Sequence, residues 1–230
     1  MTYNVRSLRD DPAAVARVIR KLAPDVACVQ EAPRFWRWEA KCTALARRAG
    51  MSWVSGGRGA AANIVLLAPG IDVEAARCVL FSKDAGLHQR GTAMALLRLR
   101  GARFAVAGTH LDGAEIPRLR HIRELHEAID GFVPAGVPLI VAADVNDVPG
   151  SRSWDALLAR GADAFAVAGT GEGATSNVAA RTRRIDAVFA GPGIAVVRAQ
   201  AVDSPDVRIA SDHYPVLAEL QLPGAIPSKQ

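Results

Sequence analysis

The chain has 230 residues, of which 50% are hydrophobic and 22% are charged, and this balance excludes a disordered, collagen-like or low-complexity protein. Its longest uncharged apolar stretches, such as residues 63–70, fall well short of the roughly 20 residues that span a bilayer, so we expect no transmembrane segment. No basic segment followed by an apolar one opens the chain, so we also expect no export signal. The cysteines Cys28, Cys42 and Cys78 form no CxxC motif, which favours reduced thiols and a cytoplasmic location.

The charge balance of the chain is positive. The 28 lysines and arginines outnumber the 23 acidic residues, which gives a formal net charge of +5. Only four of those 28 residues are lysines, and the planar guanidinium of arginine suits phosphate recognition, although genome composition alone can produce the same bias. The excess therefore permits a nucleic acid as partner without requiring one.

Helical and strand patterns alternate along the chain. Residues 3–5 are typical of the end of a strand with almost no chain before it, so either the first strand is very short or the native start lies upstream of Met1. Asp11-Pro12 indicates the start of a helix, which Pro24 ends. Further helices are expected at residues 35–49, 115–132 and 154–160, and strands at 25–30, 52–55, 63–68, 72–81, 92–100, 103–109, 139–143, 185–190, 194–202 and 214–222.

No internal repeat or linker divides the chain. We therefore expect residues 1–222 to form one α/β domain, and residues 223–230 to form a flexible tail. Residues 167–182, with three closely spaced glycines, have the composition of a surface loop. Several consecutive strands with helices at both ends of the pattern favour two packed sheets with helices outside them.

Charged and amide side chains follow or interrupt the apolar strands, and strand ends in an α/β domain gather at one edge, where active sites are usually built. The residues in question are Asn4, Glu31, His110, Asp144, Asn146, Asp186, Asp212 and His213. Carboxylates crowded together repel one another unless a cation compensates, and oxygen ligands of this kind favour Mg²⁺ or Mn²⁺ over zinc. Histidines beside them can carry a positive charge toward a phosphate oxyanion. The set therefore points to metal-assisted attack of water on a phosphate ester.

Each of these residues also has an ordinary structural explanation. The segment 144–147 could be only a turn before Pro149-Gly150, and Ser211 and Asp212 could form a helix N-cap. Asp186 is harder to dismiss, since an acid within a buried strand is costly unless it is paired.

Several other polar and aromatic residues are open to two interpretations. The arginines Arg181, Arg183 and Arg184 form either a phosphate-facing edge or a solvated loop. We expect His121 and His126 on a helix surface. Trp36 and Trp38 are interpreted as core and helix-surface residues rather than as platforms for stacked bases.

The order of the polar segments along the chain resembles the endonuclease/exonuclease/phosphatase superfamily of metal-dependent phosphoesterases, which includes DNase I. The similar segments run in the order of that family and are TYNVR (2–6), VQE (29–31), THLD (109–112), AADVND (142–147), RRIDAVF (183–189) and SDHYPV (211–216). The resemblance covers essentially the whole chain. It implies a four-layer α/β/β/α sandwich of two mixed sheets flanked by helices.

The resemblance also implies roles for particular residues. Glu31 would be the principal ligand of Mg²⁺ or Mn²⁺, and Asn4 and Asp212 would complete or support the metal site. Asp144 would orient and deprotonate the attacking water, with Asn146 holding Asp144 and a phosphate oxygen. His213, held by Asp186, would bind the scissile phosphate.

Three positions depart from the family pattern or match it weakly. His110 stands where the abasic-site endonucleases carry tyrosine, which makes the chain more similar to the DNase I, sphingomyelinase and general phosphoesterase branches. Asn63 is similar to the asparagine of a family GN segment, but Ala62 replaces the glycine. Arg90 and its following glycine resemble a segment near the phosphate, so Arg90, Asn63, Arg183 and Arg184 are candidate substrate-binding residues.

Three functions are compatible with these features. The first is a Mg²⁺-dependent phosphodiesterase acting on nucleic acid, most plausibly DNA. The second keeps the chemistry but acts on a phospholipid headgroup, an inositol phosphate or another small phosphoester, because the chain has no obvious basic insertion that would hold a duplex. The third is a binding module without catalysis.

Overall fold

A computed structural model describes residues 1–176 and 182–224 of the chain. The strands are β1 (Thr2–Asn4), β2 (Val26–Gln30), β3 (Ser52–Gly57), β4 (Asn63–Leu67), β5 (Asp72–Leu80), β6 (Gly91–Leu99), β7 (Ala102–His110), β8 (Leu139–Asp144), β9 (Ala162–Asp163), β10 (Asp186–Ala190), β11 (Ala195–Ala201) and β12 (Val216–Gln221). The α-helices are α1 (Pro12–Leu22), α2 (Trp38–Ala49), α3 (Glu115–Asp130), α4 (Arg152–Leu158), α5 (Ala164–Ala168) and α6 (Pro205–Ala210).

The strands form two mixed sheets of six strands each. The first has the order β11-β12-β1-β2-β4-β3 and the second the order β5-β6-β7-β8-β10-β9. The pairs β1–β2 and β7–β8 are parallel, and the other pairings are antiparallel. The two sheets face each other across a buried apolar layer that includes Val65, Leu97, Phe104 and Val188.

The helices cover the outer faces of the two sheets. Residues of α1, α2 and α6 share a buried cluster with β1 and β2, and residues of α3 and α4 share another with β7, β8 and β10. The predicted four-layer α/β/β/α sandwich is confirmed. No helix in the described ranges is long and apolar enough to cross a membrane.

Local sequence signals explain where α1 begins and where the hairpin of β6 and β7 turns. The Asp11 side chain accepts hydrogen bonds from the backbone N–H groups of Ala13 and Ala14, and Pro12 occupies the first helical position. The hairpin turns at Arg100-Gly101, where both residues have positive φ.

The second helix begins three residues later than the apolar pattern predicted. Phe35 and Trp36 precede α2, and their side chains are 65% and 75% exposed, so the interpretation of Trp36 as a core residue is wrong. The reason is the backbone at Arg37, whose φ of 53° is left-handed and cannot continue a helix. Trp38 does lie at the start of α2, where its ring packs edge-on against Trp53.

His121 is buried rather than exposed, so the expected surface position is wrong. Its side chain is 2% exposed, stacks on Phe81 and lies with Nε2 3.0 Å from the carbonyl oxygen of Ser82. The segment that follows β5 covers this face of α3. A contact between segments so distant in sequence cannot be predicted from the apolar pattern of the helix. His126 is half-buried on the same helix.

Two predicted features fall partly outside the described residues. Arg181 lies outside them, as do residues 225–230 of the expected tail. The expected loop 167–182 begins inside α5, which the sequence did not predict. The sequence also missed α6, although Ser204 caps it and Pro205 opens it in the usual way.

Candidate active site

The polar residues predicted at strand ends meet at one edge of the sandwich. In the second sheet His110 is the register partner of Asp144, which in turn pairs with Asp186, so these residues end or begin three neighbouring strands. In the first sheet Asn4 ends β1 and Glu31 follows β2 directly.

Asn4 connects the two sheets at this edge. Its side-chain NH₂ donates to Oε1 of Glu31 at 3.1 Å and to Oδ2 of Asp144 at 2.9 Å. Its Oδ1 accepts from the backbone N–H of Arg6 at 3.0 Å. Asn4 and Asp144 are almost fully buried, whereas the Glu31 side chain keeps 39% of its surface exposed. Glu31 therefore presents its carboxylate to solvent from a fixed position.

His213 is held through one nitrogen of its ring and lies near a second carboxylate. Its Nδ1 lies 2.9 Å from Oδ2 of Asp186, and its Nε2 lies 3.9 Å from Oδ2 of Asp144. Ser211 holds the backbone of this segment, because its hydroxyl donates to the carbonyl of Asn4 at 2.8 Å and accepts from the N–H of His213. Burial alone would lower the pKa of His213, but the negative charges of Asp186 and Asp144 outweigh it and raise that pKa to about 10. His213 is therefore a cation at neutral pH.

His110 has the opposite electrostatic character. Burial lowers its pKa to about 3, with the nearby cations Arg90 and His213 acting in the same direction and the charge of Asp144 opposing them. Its Nε2 lies 3.3 Å from Oδ2 of Asp144 and 2.9 Å from Nδ2 of Asn146. The site thus combines a neutral and a positively charged imidazole on the same carboxylate.

Asn146 and Asp212 complete the set of eight predicted residues. The backbone N–H of Asn146 donates to Oδ1 of Asp144 at 3.1 Å, which its left-handed φ of 55° permits. Asp212 lies beside the first sheet, with Oδ2 3.3 Å from Nε of Arg6. Glu31 also has a left-handed φ, of 49°, and strained backbone of this kind is often found at functional sites.

Arg90 lies next to the site with an unsatisfied donor. Its side chain is 13% exposed, and its Nε is buried without a hydrogen-bond partner in the described ranges, 3.8 Å from Oδ2 of Asp112. Burial lowers the pKa of Arg90, while the charges of Asp144, Asp112 and Glu31 oppose that effect. A buried cation with a free donor is suited to binding an anion.

The remaining candidate substrate-binding residues are engaged in other contacts. The NH₂ of Asn63 donates to the carbonyl oxygens of Ala60 and Gly91, and its side chain is 1% exposed. Arg184 pairs with Asp163 at 2.7 Å, and its guanidinium lies over the ring of Trp154. Arg183 is exposed, and its backbone carbonyl accepts from the N–H groups of residues 175 and 176, beside the His213 segment.

The sequence analysis overlooked Arg118, which positions the loop that carries Asn146. Arg118 is 5% exposed, pairs with Asp147 at 2.6 Å and donates to Oγ of Ser153. It also donates to the carbonyl oxygens of Asp112 and Gly113. Its position three residues before His121 and four before the apolar Ile122 was the signal that could have placed it on the buried face of α3.

The donor set at this edge fits a hard divalent cation. Carboxylate oxygens of Asp144 and Asp186 lie within 4.8 Å of each other, and the carboxylate of Glu31 faces solvent beside them, whereas the protonated His213 in the same group is not free to act as a ligand. Oδ1 of Asp186 is buried without a hydrogen-bond partner within the described part of the chain. Carboxylate oxygens with no thiolate nearby suit Mg²⁺ or Mn²⁺.

Comparison with known proteins places this geometry in a family. The sequence profile of the endonuclease/exonuclease/phosphatase family matches residues 1–213. Among curated protein sequences, none matches the chain.

Several solved structures share the fold at low sequence identity. An endonuclease/exonuclease/phosphatase from Bacteroides vulgatus is 19% identical, with a TM-score of 0.79 over 96% of this chain and 97% of that one. The mannosyl-6-phosphatase of Bacteroides thetaiotaomicron is 18% identical, with a TM-score of 0.81 over 96% and 98%. TDP2 of D. rerio, in complex with a single-strand DNA product, is 18% identical, with a TM-score of 0.72 over 96% and 97%.

Proposed function

The chain belongs to the endonuclease/exonuclease/phosphatase family of metal-dependent phosphoester hydrolases, and we propose that it hydrolyses phosphodiester bonds of DNA with Mg²⁺ or Mn²⁺. The observation that carries this proposal is the pair of cations beside the carboxylates. Arg90 has a donor without a hydrogen-bond partner in the described ranges, and Nε2 of His213 lies 3.9 Å from Asp144, on an edge where Glu31 is open to solvent. Two cations beside an exposed carboxylate suit a substrate whose negative charge extends along a chain.

Glu31 would hold the divalent cation, with Asp212 as a further ligand. Asn4 presents its NH₂ to the carboxylates, so its role would be to hold Glu31 and Asp144 in place rather than to donate an oxygen. When bound, the cation supplies Lewis-acid stabilisation of charge on the phosphate oxygens.

Asp144 would take the proton of the attacking water. Its Oδ1 is held by the backbone N–H of Asn146, and its Oδ2 by Asn4, so the carboxylate cannot rotate away from the cleft. His110, which is neutral, lies against the same Oδ2 and adds no second positive charge there. A fixed carboxylate within reach of the water is the arrangement that general base catalysis needs.

His213 would bind the scissile phosphate through Nε2–H. Asp186 occupies Nδ1 and keeps the ring protonated, so the charge is already in place when the phosphate gains negative charge in the transition state. Arg90 would neutralise a second phosphate oxygen through its free donor. Asn146, whose Nδ2 lies near His110 and the carbonyl of Leu111, would complete this binding surface.

A small phosphoester is the second candidate substrate. Its support is the similar fold of the mannosyl-6-phosphatase, which matches 96% of this chain.

A substrate screen separates the two candidates. The protein is incubated with millimolar Mg²⁺ and a supercoiled plasmid, a single-stranded oligonucleotide, hexose phosphates, inositol phosphates and phospholipid vesicles. We expect cleavage of the DNA substrates, and we expect Asp144→Asn to abolish it. Intact DNA together with turnover of a small ester would overturn the proposal.

We also propose a cytoplasmic location, supported by the state of the cysteines. All three are free, and Cys78 is exposed. An exposed free thiol suits a reducing compartment.

A further inference from the structure

A cavity lies between the short segment after β1 and helix α2. Its volume is about 430 Å³, and its walls include Ser7 on one side and Trp36, Arg37, Lys41 and Arg48 on the other. Apolar residues such as Leu45 form its floor. We call this cavity the α2 groove.

The charge of the α2 groove is entirely positive. Arg37, Lys41 and Arg48 are exposed, and no carboxylate is among the residues that line the groove. None of the three makes an ion pair within residues 1–176 and 182–224, whereas nearby Asp10 pairs with Arg6 and Asp11 caps α1. Three unpaired cations around one cavity favour an anionic ligand.

The groove also contains an exposed aromatic ring. Trp36 is 75% exposed, and the guanidinium of Arg37 lies 5.3 Å from the centroid of its ring. An exposed indole in a positively charged groove is a typical platform on which an unpaired nucleobase stacks.

The α2 groove adjoins the segments on either side of Glu31. The backbone N–H of Ser7 donates to the carbonyl oxygen of Glu31 at 2.8 Å, so a residue that lines the groove is attached to the residue that would hold the metal. Trp36 and Arg37 lie on the segment that leads from Glu31 into α2, and the left-handed Arg37 turns that segment at the helix start. The groove is therefore connected to the proposed metal site through Glu31.

We propose that the α2 groove binds the single-stranded part of the nucleic acid that flanks the scissile phosphate. Trp36 stacks on an unpaired base, and Lys41 and Arg48 contact the adjoining phosphates. This inference rests on the proposed action on DNA for its biological meaning, but the groove can be tested by binding alone.

The test measures binding of a fluorescein-labelled oligothymidylate by anisotropy in EDTA, where no hydrolysis takes place. We compare the wild type with Trp36→Ala, Trp36→Phe, the pair Lys41→Ala and Arg48→Ala, and the control Arg123→Ala. Arg123 is an exposed arginine in the middle of α3, on the outer face of the other sheet. Circular dichroism verifies that each variant is folded.

We expect Trp36→Ala to raise the Kd about tenfold, and Trp36→Phe to recover most of the affinity because it keeps an aromatic face. The double alanine variant should weaken binding and reduce the slope of log K against log salt by about 1.4, since two phosphate contacts are removed. Arg123→Ala should change neither quantity. An equal-length duplex should bind more weakly and be insensitive to Trp36→Ala, because its bases are not free to stack.

Absence of binding by the wild type would overturn the inference, as would variants that all bind within twofold of it. The proposed function is tested separately by adding Mg²⁺. Binding that is lost in the groove variants, without any DNA hydrolysis by the wild type, supports the groove and contradicts the nuclease. DNA hydrolysis by the wild type, together with unchanged DNA binding in the groove variants, supports the nuclease and contradicts the role of the groove.

Discussion

Asp186 holds His213 at 2.9 Å through Nδ1, on the side of the ring away from Asp144, which lies 3.9 Å from Nε2. One carboxylate thus carries the hydrogen bond, and Nε2 is left for another partner. Against the effect of burial, the charges of both carboxylates raise the pKa of His213 to about 10. His213 is therefore protonated at neutral pH, and if it binds the scissile phosphate as proposed, activity should decline as the pH rises through this range.

The first prediction concerns Asp186→Asn. Removing this charge lets burial lower the pKa of His213, so the alkaline limb of kcat/KM should move toward lower pH by at least about one unit. At neutral pH the rate should fall, and His213→Ala, which removes the donor entirely, should lose about 100-fold or more. The measurement is the pH profile of hydrolysis of the best substrate at saturating Mg²⁺.

Asp130→Asn is the matched control for that profile. Asp130 pairs with Arg160 at 2.6 Å on the far end of α3, away from His213. Its profile should coincide with that of the wild type. An alkaline limb that stays in place in Asp186→Asn, or activity within about tenfold of the wild type in His213→Ala, would show that His213 has been given the wrong role.

The second prediction concerns the residue that would hold the metal. Glu31→Gln keeps the shape of the side chain and a partner for Asn4 but removes the charge, so the concentration of Mg²⁺ at half-maximal activity should rise about tenfold or more. Binding of Mn²⁺, followed by calorimetry without substrate, should weaken in parallel. Glu115→Gln, at an exposed site paired only with Arg152, should leave both curves unchanged. Identical metal titrations for Glu31→Gln and the wild type would exclude Glu31 as a principal ligand.

The convergence of the polar residues at one edge could be predicted because strand ends fix their positions. Glu31 directly follows a strand, and His110 and Asp144 are each the last residue of one. Strand ends in an α/β domain gather at one edge of the sheet, which brings such residues together. Asp186 was identifiable for another reason, since a buried acid within a strand needs a partner.

Residues outside the strand ends were predicted poorly because their environment comes from distant segments. The exposure of Trp36 depends on a left-handed backbone at Arg37, a residue type that rarely adopts it. The burial of His121 depends on the segment after β5, and Asn63 is occupied by backbone carbonyls that only the folded chain brings close. The order of strands in each sheet was likewise not readable from local patterns.

The third prediction concerns the acid stability that His110 controls. Its pKa is about 3 in the folded protein and close to 6.5 in the unfolded chain, so the unfolded state binds the proton first as pH falls. The protein should lose stability from about pH 6.5 downward, by at most about 1.4 kcal/mol per pH unit, until the pH reaches about 3. His110→Asn removes this titratable group, so the stability of the variant should decline less steeply below pH 6.5 than that of the wild type.

Urea unfolding in EDTA at several pH values between 4 and 8 measures this difference without interference from metal binding. His126→Asn, at a half-buried position on α3, is the comparison, because burial also lowers the pKa of His126 but no carboxylate of the catalytic edge contacts it. The decrease in the slope of stability against pH should be larger for His110→Asn than for His126→Asn. Parallel curves for the wild type and His110→Asn would mean that folding does not lower the pKa of His110.

The last prediction concerns Arg118, which stabilises the loop carrying Asn146. Arg118→Met keeps the length of the side chain but leaves Asp147 without its ion pair and Ser153 without its donor, so the protein should lose roughly 3 kcal/mol of unfolding free energy. Arg123→Met, one turn along the same helix but exposed, should change stability by less than about 0.5 kcal/mol. Adding Asp147→Asn to Arg118→Met should restore part of the loss, because the unpaired charge is gone. Denaturant unfolding measures all three differences, and equal midpoints for Arg118→Met and Arg123→Met would show that the buried ion pair contributes nothing to this loop.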